Sequence, residues 1–184
     1  MTVTQSPADK RRDKITRAAA DVFIRYGFAR TTMGDIATAA GIARPTLYLS
    51  FPQKQDIYAA VIDMLVARAL ARLTSDLAQI PDAADKLRHA CLSWGLEGYD
   101  LVQANPDAKD LFDLSYEPVR RGHAAFWRLL SEILAAGGCD DADMTAQMIS
   151  AAIKGFKSIA EDRDALIRMI VVLCDAVTRP GNRG

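Results

Sequence analysis

Apolar residues along this chain recur at three- and four-residue steps, and nowhere with the sustained two-residue alternation of a half-buried strand. Ile15, Ala18, Ala19, Val22, Phe23 and Tyr26 form one stripe and predict a helix over about 10–26, closed by Gly27. Thr32, three residues before Asp35, gives a capping box with Asp in place of the usual Glu and starts a short helix over about 33–40. Gly41 breaks that helix. A second short helix over about 44–50 has Pro45 in its first turn, where the missing N–H costs little. After Phe51-Pro52-Gln53, a long helix over about 54–79 carries Tyr58, Val61, Ile62, Leu65, Ala69, Leu73 and Leu77 on one side. Pro81, Pro106, Pro118 and Gly137-Gly138 separate further helices over about 83–104, 107–114, 118–136, 141–160 and 163–178. About nine helices with short connections predict an all-α bundle.

The stretch from Thr32 to Lys54 carries the sharpest chemical signal. Ile36, Ala37, Ala40, Ile42 and Leu47 are apolar at the spacing two crossed short helices need, and Gly41 supplies the turn between them, which is helix-turn-helix spacing. The outward residues of the second short helix are Ala43, Arg44, Thr46, Tyr48, Leu49 and Ser50. An arginine there suits a bidentate contact to guanine, and Ala43 and the methyl of Thr46 suit a thymine methyl. Tyr48 and Lys54 suit phosphates.

In these residues the chain resembles the TetR family: Thr31-Thr32, Ile36-Ala37, Ala40-Gly41-Ile42, Thr46-Leu47-Tyr48, Phe51-Pro52 and Lys54 fall in the family's order and spacing near the N-terminus. The motif covers about a quarter of the chain. The resemblance implies a three-helix DNA-binding domain over 1–53 and a ligand-sensing and dimerisation domain over 54–184. It also implies a DNA-reading helix at about 44–50 with phosphate contacts from Tyr48 and Lys54. Thr32, Ala43, Arg44, Pro45, Thr46, Tyr48, Leu49, Ser50 and Lys54 form the expected DNA-binding set. Met33 and Gly34 depart from the polar or charged groups relatives often carry there, and Leu49 and Ser50 from the aromatic residues or His, so base preference does not transfer from a relative.

Charge changes the picture in one respect. The 184 residues carry no formal net charge, yet residues 1–60 hold nine Lys/Arg against five Asp/Glu, and the remainder is acidic by the same margin. A basic end that meets a polyanion and an acidic body that does not is the expected reading. Lys10, Arg11, Arg12 and Lys14 cluster at the start of the first helix, where positive charge opposes the helix dipole, and are expected to approach the DNA backbone or minor groove. Cys91, Cys139 and Cys174, an odd number without short spacing, and two histidines, His89 and His123, argue against a disulfide framework or a metal site. No apolar run is long enough for a membrane span and the basic start lacks a signal-peptide core, so the cytoplasm is the expected compartment.

The C-terminal body has stripes rather than motifs. Trp94, Glu97, Gly98 and Leu101 share a face of the helix at 83–104, and His123, Phe126, Trp127 and Leu130 a face of that at 118–136. With Phe112 and Tyr116 between them, Trp94, Glu97, Gly98, Leu101, His123, Phe126 and Trp127 are the expected lining of a ligand pocket; ordinary core packing is the bland alternative. Mid-helix Gly95 and Gly98 call for a close helix crossing or a ligand pressed against backbone. Met144, Met148, Ala152, Gly155, Phe156 and Ile159, followed by Leu166, Met169, Ile170, Leu173 and Val177, make the last two helices apolar over much of their circumference and are expected to form a two-fold dimer interface.

The expectation is a homodimeric, ligand-responsive repressor of a pseudo-palindromic operator in double-stranded DNA, with no cofactor. A helical ligand-binding protein without DNA function is the first alternative and an enzyme the second. The enzyme reading is disfavoured because His89 and Cys91, two apart on a helix, point to different sides, and no glycine-rich phosphate loop is present.

Overall fold

The computed structural model describes residues 6–179, and among them there is no strand. Eight α-helices follow in order: α1 Pro7–Tyr26, α2 Met33–Ala40, α3 Arg44–Ser50, α4 Lys54–Leu77, α5 Ala83–Ala104, α6 Glu117–Ala136, α7 Ala142–Ile159 and α8 Arg163–Thr178. Helix α1 begins ahead of its apolar stripe because Ser6 and Asp9 cap each other's backbone N–H groups across Pro7, at 3.1 Å each way. Where the sequence predicts a short α-helix over 107–114, the chain forms a 3₁₀ helix, Pro106–Phe112. Asn105 gives it no side-chain cap, and its end closes with the tighter Asp113 N–H to Asp110 carbonyl bond of 3.3 Å.

The described residues form two compact units, each with its own core. One comprises the chain up to Val66 together with Ala104–Val119, the other Ala67–Gln103 together with the chain from Arg120. Packing therefore does not divide the chain at 53/54. The first half of α4 and the 3₁₀ segment belong with the helix-turn-helix because its short helices cannot enclose a core alone. Residues 1–5 and 180–184 of the spans 1–53 and 54–184 lie outside the described residues.

In the first unit, Ile15, Ala19 and Phe23 of α1 meet Ile36, Ala37 and Ala40 of α2, Leu47 of α3, Phe51, and Ile57, Tyr58, Val61 and Ile62 of α4. Ala108, Leu111 and Val119 close the remaining side. Phe23, Phe28, Tyr58 and Tyr116 pack ring on ring, with centroids 4.5–6.0 Å apart. Tyr26, the last residue of the expected stripe, is 50% exposed instead, because α1 ends there.

In the second unit, Leu73 and Leu77 of α4, Leu87, Ala90 and Cys91 of α5, Phe126, Leu130, Ile133 and Leu134 of α6, Ala146, Ile149 and Ile153 of α7, and Leu166, Ile170 and Cys174 of α8 share one core. Gly95 is explained by this packing: a Cβ there would come within 2.6 Å of Ile170 Cδ1, so the Ile170 side chain of α8 takes the space beside it. No helix among the described residues is long and apolar enough to cross a membrane.

Candidate nucleic-acid interface

The turn between α1 and α2 sets the start of the helix-turn-helix. Gly27 sits at φ 75°, and a Cβ on it would lie 2.7 Å from the Asp107 carbonyl oxygen, so no side chain fits. The buried Thr31 hydroxyl donates to the Gly27 carbonyl at 2.7 Å. Thr32 caps α2: its Oγ1 accepts from the Asp35 N–H at 3.2 Å, and the Asp35 carboxylate accepts from the Thr32 N–H at 2.8 Å and from its hydroxyl at 2.7 Å. These hydrogen bonds, with a smaller contribution from the nearby Arg44 charge, hold the Asp35 carboxyl below its ordinary range. Gly41 ends α2 in the left-handed region at φ 61°, ψ 45°. The N–H of Ile42 returns to the Ala37 carbonyl and that of Gly41 to the Thr38 carbonyl, both at 3.1 Å, a Schellman closure that aims α3.

Helix α3 is anchored on one face. Leu47 is fully buried, and Phe51 beyond the helix is buried with it. The opposite face is open: Ala43, Arg44 and Pro45 are exposed, Tyr48 is 50% and Leu49 84% exposed, and Thr46 and Ser50 lie half-buried at its edge. The Ser50 hydroxyl donates to the Thr46 carbonyl at 3.2 Å. No side chain caps the α3 N-terminus.

The cations divide into two groups. Arg12 donates to the Ser50 carbonyl and lies 3.9 Å over the Phe51 ring, so it clamps the end of α3 to α1 rather than standing out as an arm. Lys54 points inward as well. Its ammonium donates to the carbonyls of Phe28 at 2.7 Å and Thr31 at 2.8 Å, with Ala29 at 3.5 Å, and lies 4.4 Å from the Phe28 ring centroid. Burial pushes its pKa down, with Asp110 pulling the other way. The expected phosphate ligand is, in the unbound protein, a staple of the α1–α2 turn. Lys10, Arg11 and Lys14 are exposed; the Lys14 ammonium lies beside Gly41, 3.9 Å from where its Cβ would be. Arg44 lies over Gly34.

Sequence reasoning missed Asp110. Its carboxylate accepts from the Ala29 N–H at 3.1 Å, and its carbonyl accepts from the Tyr58 hydroxyl at 2.7 Å, while Asp107 pairs with Arg30. Their separation of 52 to 81 residues from these partners leaves no local signal.

The family model described as bacterial regulatory proteins of the tetR family matches residues 15–61, the segment that holds this geometry. The resemblance to the TetR family thus holds over about a quarter of the chain. The transcriptional activator FasR of Mycolicibacterium smegmatis is 34% identical over 105 residues, which is 54% of this chain and 48% of that protein. The chain thus spans about half the length of the curated relatives it matches. A transcriptional regulator from Cytophaga hutchinsonii superposes with a TM-score of 0.75 at 18% identity, covering 92% of this chain and 97% of that one. FadR from Bacillus subtilis, solved with stearoyl-CoA, superposes at 0.70 with 20% identity, covering 90% of this chain and 97% of that one. These two likenesses are of fold.

The expected pocket residues do not come together as one set. Phe112 and Tyr116 pack on the first unit's core, Tyr116 against the Phe28 and Tyr58 rings, because the 3₁₀ helix and the turn after it complete that core. In the second unit, Trp94 stacks on the fully buried Phe126 at 4.4 Å and meets the His123 ring edge-on at 6.1 Å. Gly98 is buried, Leu101 and Trp127 are half-buried, and Glu97 is an exposed partner of Arg72. Trp94 and Glu97 share a groove of about 180 Å³ with Arg72, Asp76 and Ser93. Burial, with Lys157 and Lys154 nearby, lowers the His123 pKa to about 4; burial lowers that of Lys157 to about 8 against the pull of Glu97.

The expected dimer set also splits. Leu166 and Ile170 are fully enclosed in the second core and present nothing to a partner, and Phe156, Leu173 and Val177 pack against the same core. Ala152 and Met169 are half-buried and Gly155 is exposed. Met144, Met148 and Ile159 of α7 stay exposed, as does Val172, two residues beyond the enclosed Ile170.

Proposed function

We propose that this protein is a dimeric, sequence-specific transcriptional regulator whose hold on operator DNA is governed by a small molecule bound in the second unit. The observation that carries the DNA half is the outward face of α3. An 84% exposed Leu49 and a half-exposed Tyr48 stand on a helix pinned by Leu47, Phe51 and Arg12, a cost without return unless another molecule covers that face. Arg44 reads a base, Leu49 and Thr46 offer methyls to thymine, and Tyr48, Lys10, Arg11 and Lys14 meet phosphates. Two copies join through the exposed Met144, Met148, Gly155, Ile159 and Val172 of α7 and α8, so the operator is pseudo-palindromic. Ligand binding releases the DNA, the behaviour of a repressor; because FasR is named an activator, a promoter reporter fixes the sign. The cytoplasm is the compartment this reading assigns.

The ligand half rests on the Trp94–Phe126–His123 cluster, with Lys157 and Glu97 as its polar groups. Since FadR of the same fold is solved with stearoyl-CoA, long-chain acyl-CoA thioesters are the first class to titrate. An enzyme is disfavoured by geometry. Asp76 and Ser93 do approach His89, at 3.3 and 3.4 Å, but both contact the same Nε2, whereas a proton relay needs one partner on each ring nitrogen.

Selection from a random duplex library, followed by binding isotherms over a salt series, tests the proposal. A palindromic enriched site, with affinity falling steeply as salt rises, is the expected result. Binding that is absent or indifferent to salt and sequence would leave only a ligand-binding bundle.

A further inference from the structure

Gly34 is a helix residue with no backbone reason to be glycine. It lies in the first turn of α2 and is not among the residues of positive φ, and glycine is less favourable than alanine inside a helix. The space its side chain would fill is taken by Arg44. A Cβ on Gly34 would meet the Arg44 guanidinium, Nη2 first, with Cζ at 2.9 Å and Nε at 3.2 Å. The guanidinium therefore occupies the space beside the bare Gly34 of α2. The neighbouring Asp35 carboxylate attracts it through space, yet that carboxylate is already held by the N–H and hydroxyl of Thr32. Arg44 is placed by this shape while its side chain stays exposed. The contrast with Arg12 and Lys54, whose donors go to backbone carbonyls, makes Arg44 the cation of this surface best suited to a bidentate contact.

We propose that Gly34 is a specificity-determining positioning residue: its missing side chain lets the Arg44 guanidinium rest on α2, and that rest position fixes the direction from which Arg44 reaches a base edge. The inference rests on the DNA-binding reading above. Arginine reads guanine through two parallel hydrogen bonds, so its approach angle matters as much as its charge. The three atoms that a Cβ at position 34 would meet first all belong to the flexible end of Arg44. Folding is then preserved while base preference changes, two effects that a purely structural glycine would not separate.

The test is selection from a random duplex library with the full chain, G34A, R44A and G34A/R44A, alongside thermal melts; G34S repeats it with a second small side chain. Expected are a melting temperature for G34A equal to or above that of the parent, and a loss of discrimination on the order of tenfold confined to the base pairs that R44A also relaxes. In the R44A background, G34A then adds no further change. An unchanged site preference for both G34A and G34S would overturn the proposal, as would a G34A effect that persists undiminished without Arg44. If the parent chain itself enriches no site, the DNA-binding reading falls and this inference with it.

Discussion

The two units handle their helix ends differently. In the first, α2 and α3 have eight and seven residues, so nearly every backbone group in them is a terminal one without an intrahelical partner. Side chains supply the missing partners: Thr32 and Asp35 at the head of α2, Arg12 at the tail of α3, Lys54 and Thr31 in the turn before. In the second, Asp82 and Asp162 cap α5 and α8, but α5, α7 and α8 run for 22, 18 and 16 residues and satisfy most of their own backbone. Their side chains mainly fill volume around Phe126 and Leu130. Residue identity therefore matters in the first unit, and size and apolarity matter in the second.

The largest effect that would sharpen this contrast is in the second core. Phe126→Ala is expected to cost about 3–5 kcal/mol in urea titrations, and Phe126→Leu to recover at least half of it, because shape rather than identity is required. Full loss with leucine would break the comparison. Next comes His123, whose pKa drops from 6.5 to about 4 in the folded chain, first through burial and then through Lys157 and Lys154. A depressed folded pKa means that the stability is fully present above pH 6.5 and is lost as pH falls towards 4, by up to roughly 3 kcal/mol. His123→Gln should flatten that part of the pH profile; a profile of unchanged slope would assign the acid loss elsewhere.

In the first unit, Lys54→Met leaves the Phe28 and Thr31 carbonyls without their charged donor and is expected to cost about 1.5–3 kcal/mol, measured in the absence of DNA. A variant that loses DNA affinity but no stability would return Lys54 to a purely phosphate-binding role. The smallest effect is the cap: Thr32→Ala removes a hydroxyl bonded at 2.7 Å to Asp35 and should lower stability by about 1 kcal/mol, with Thr32→Ser restoring most of it.

The same contrast decides what was legible in the sequence. Gly41 and the Thr32–Asp35 box could be read because each acts within four residues of itself. Lys54 and Arg12 could not be assigned their roles, since their partners lie 23 to 38 residues away and a cation near DNA has an obvious alternative use. The sequence marks Arg44 as a candidate reader of bases but Gly34 only as a departure from relatives, because what rests on it comes from another helix. Periodicity found the apolar faces of α7 and α8 but could not say which side the core takes. Leu166 and Ile170 went inward and Val172 outward, although all three suit either place. Phe112 and Tyr116 show the same limit, being aromatic residues that fit a ligand wall or a core equally and were claimed by the first unit.

The insertion of Ala104–Val119 into the first unit has a consequence for biosynthesis. A ribosome that has released the chain through Val66 has made every helix of the helix-turn-helix, but not Ala108, Leu111 or Val119 that seal its core, nor Asp110 that caps Ala29. At about 5–20 residues per second, the helix-turn-helix waits on the order of 3–10 s, bare on one side, until the middle of the chain arrives. A fragment cut at Val66 stays in that state permanently.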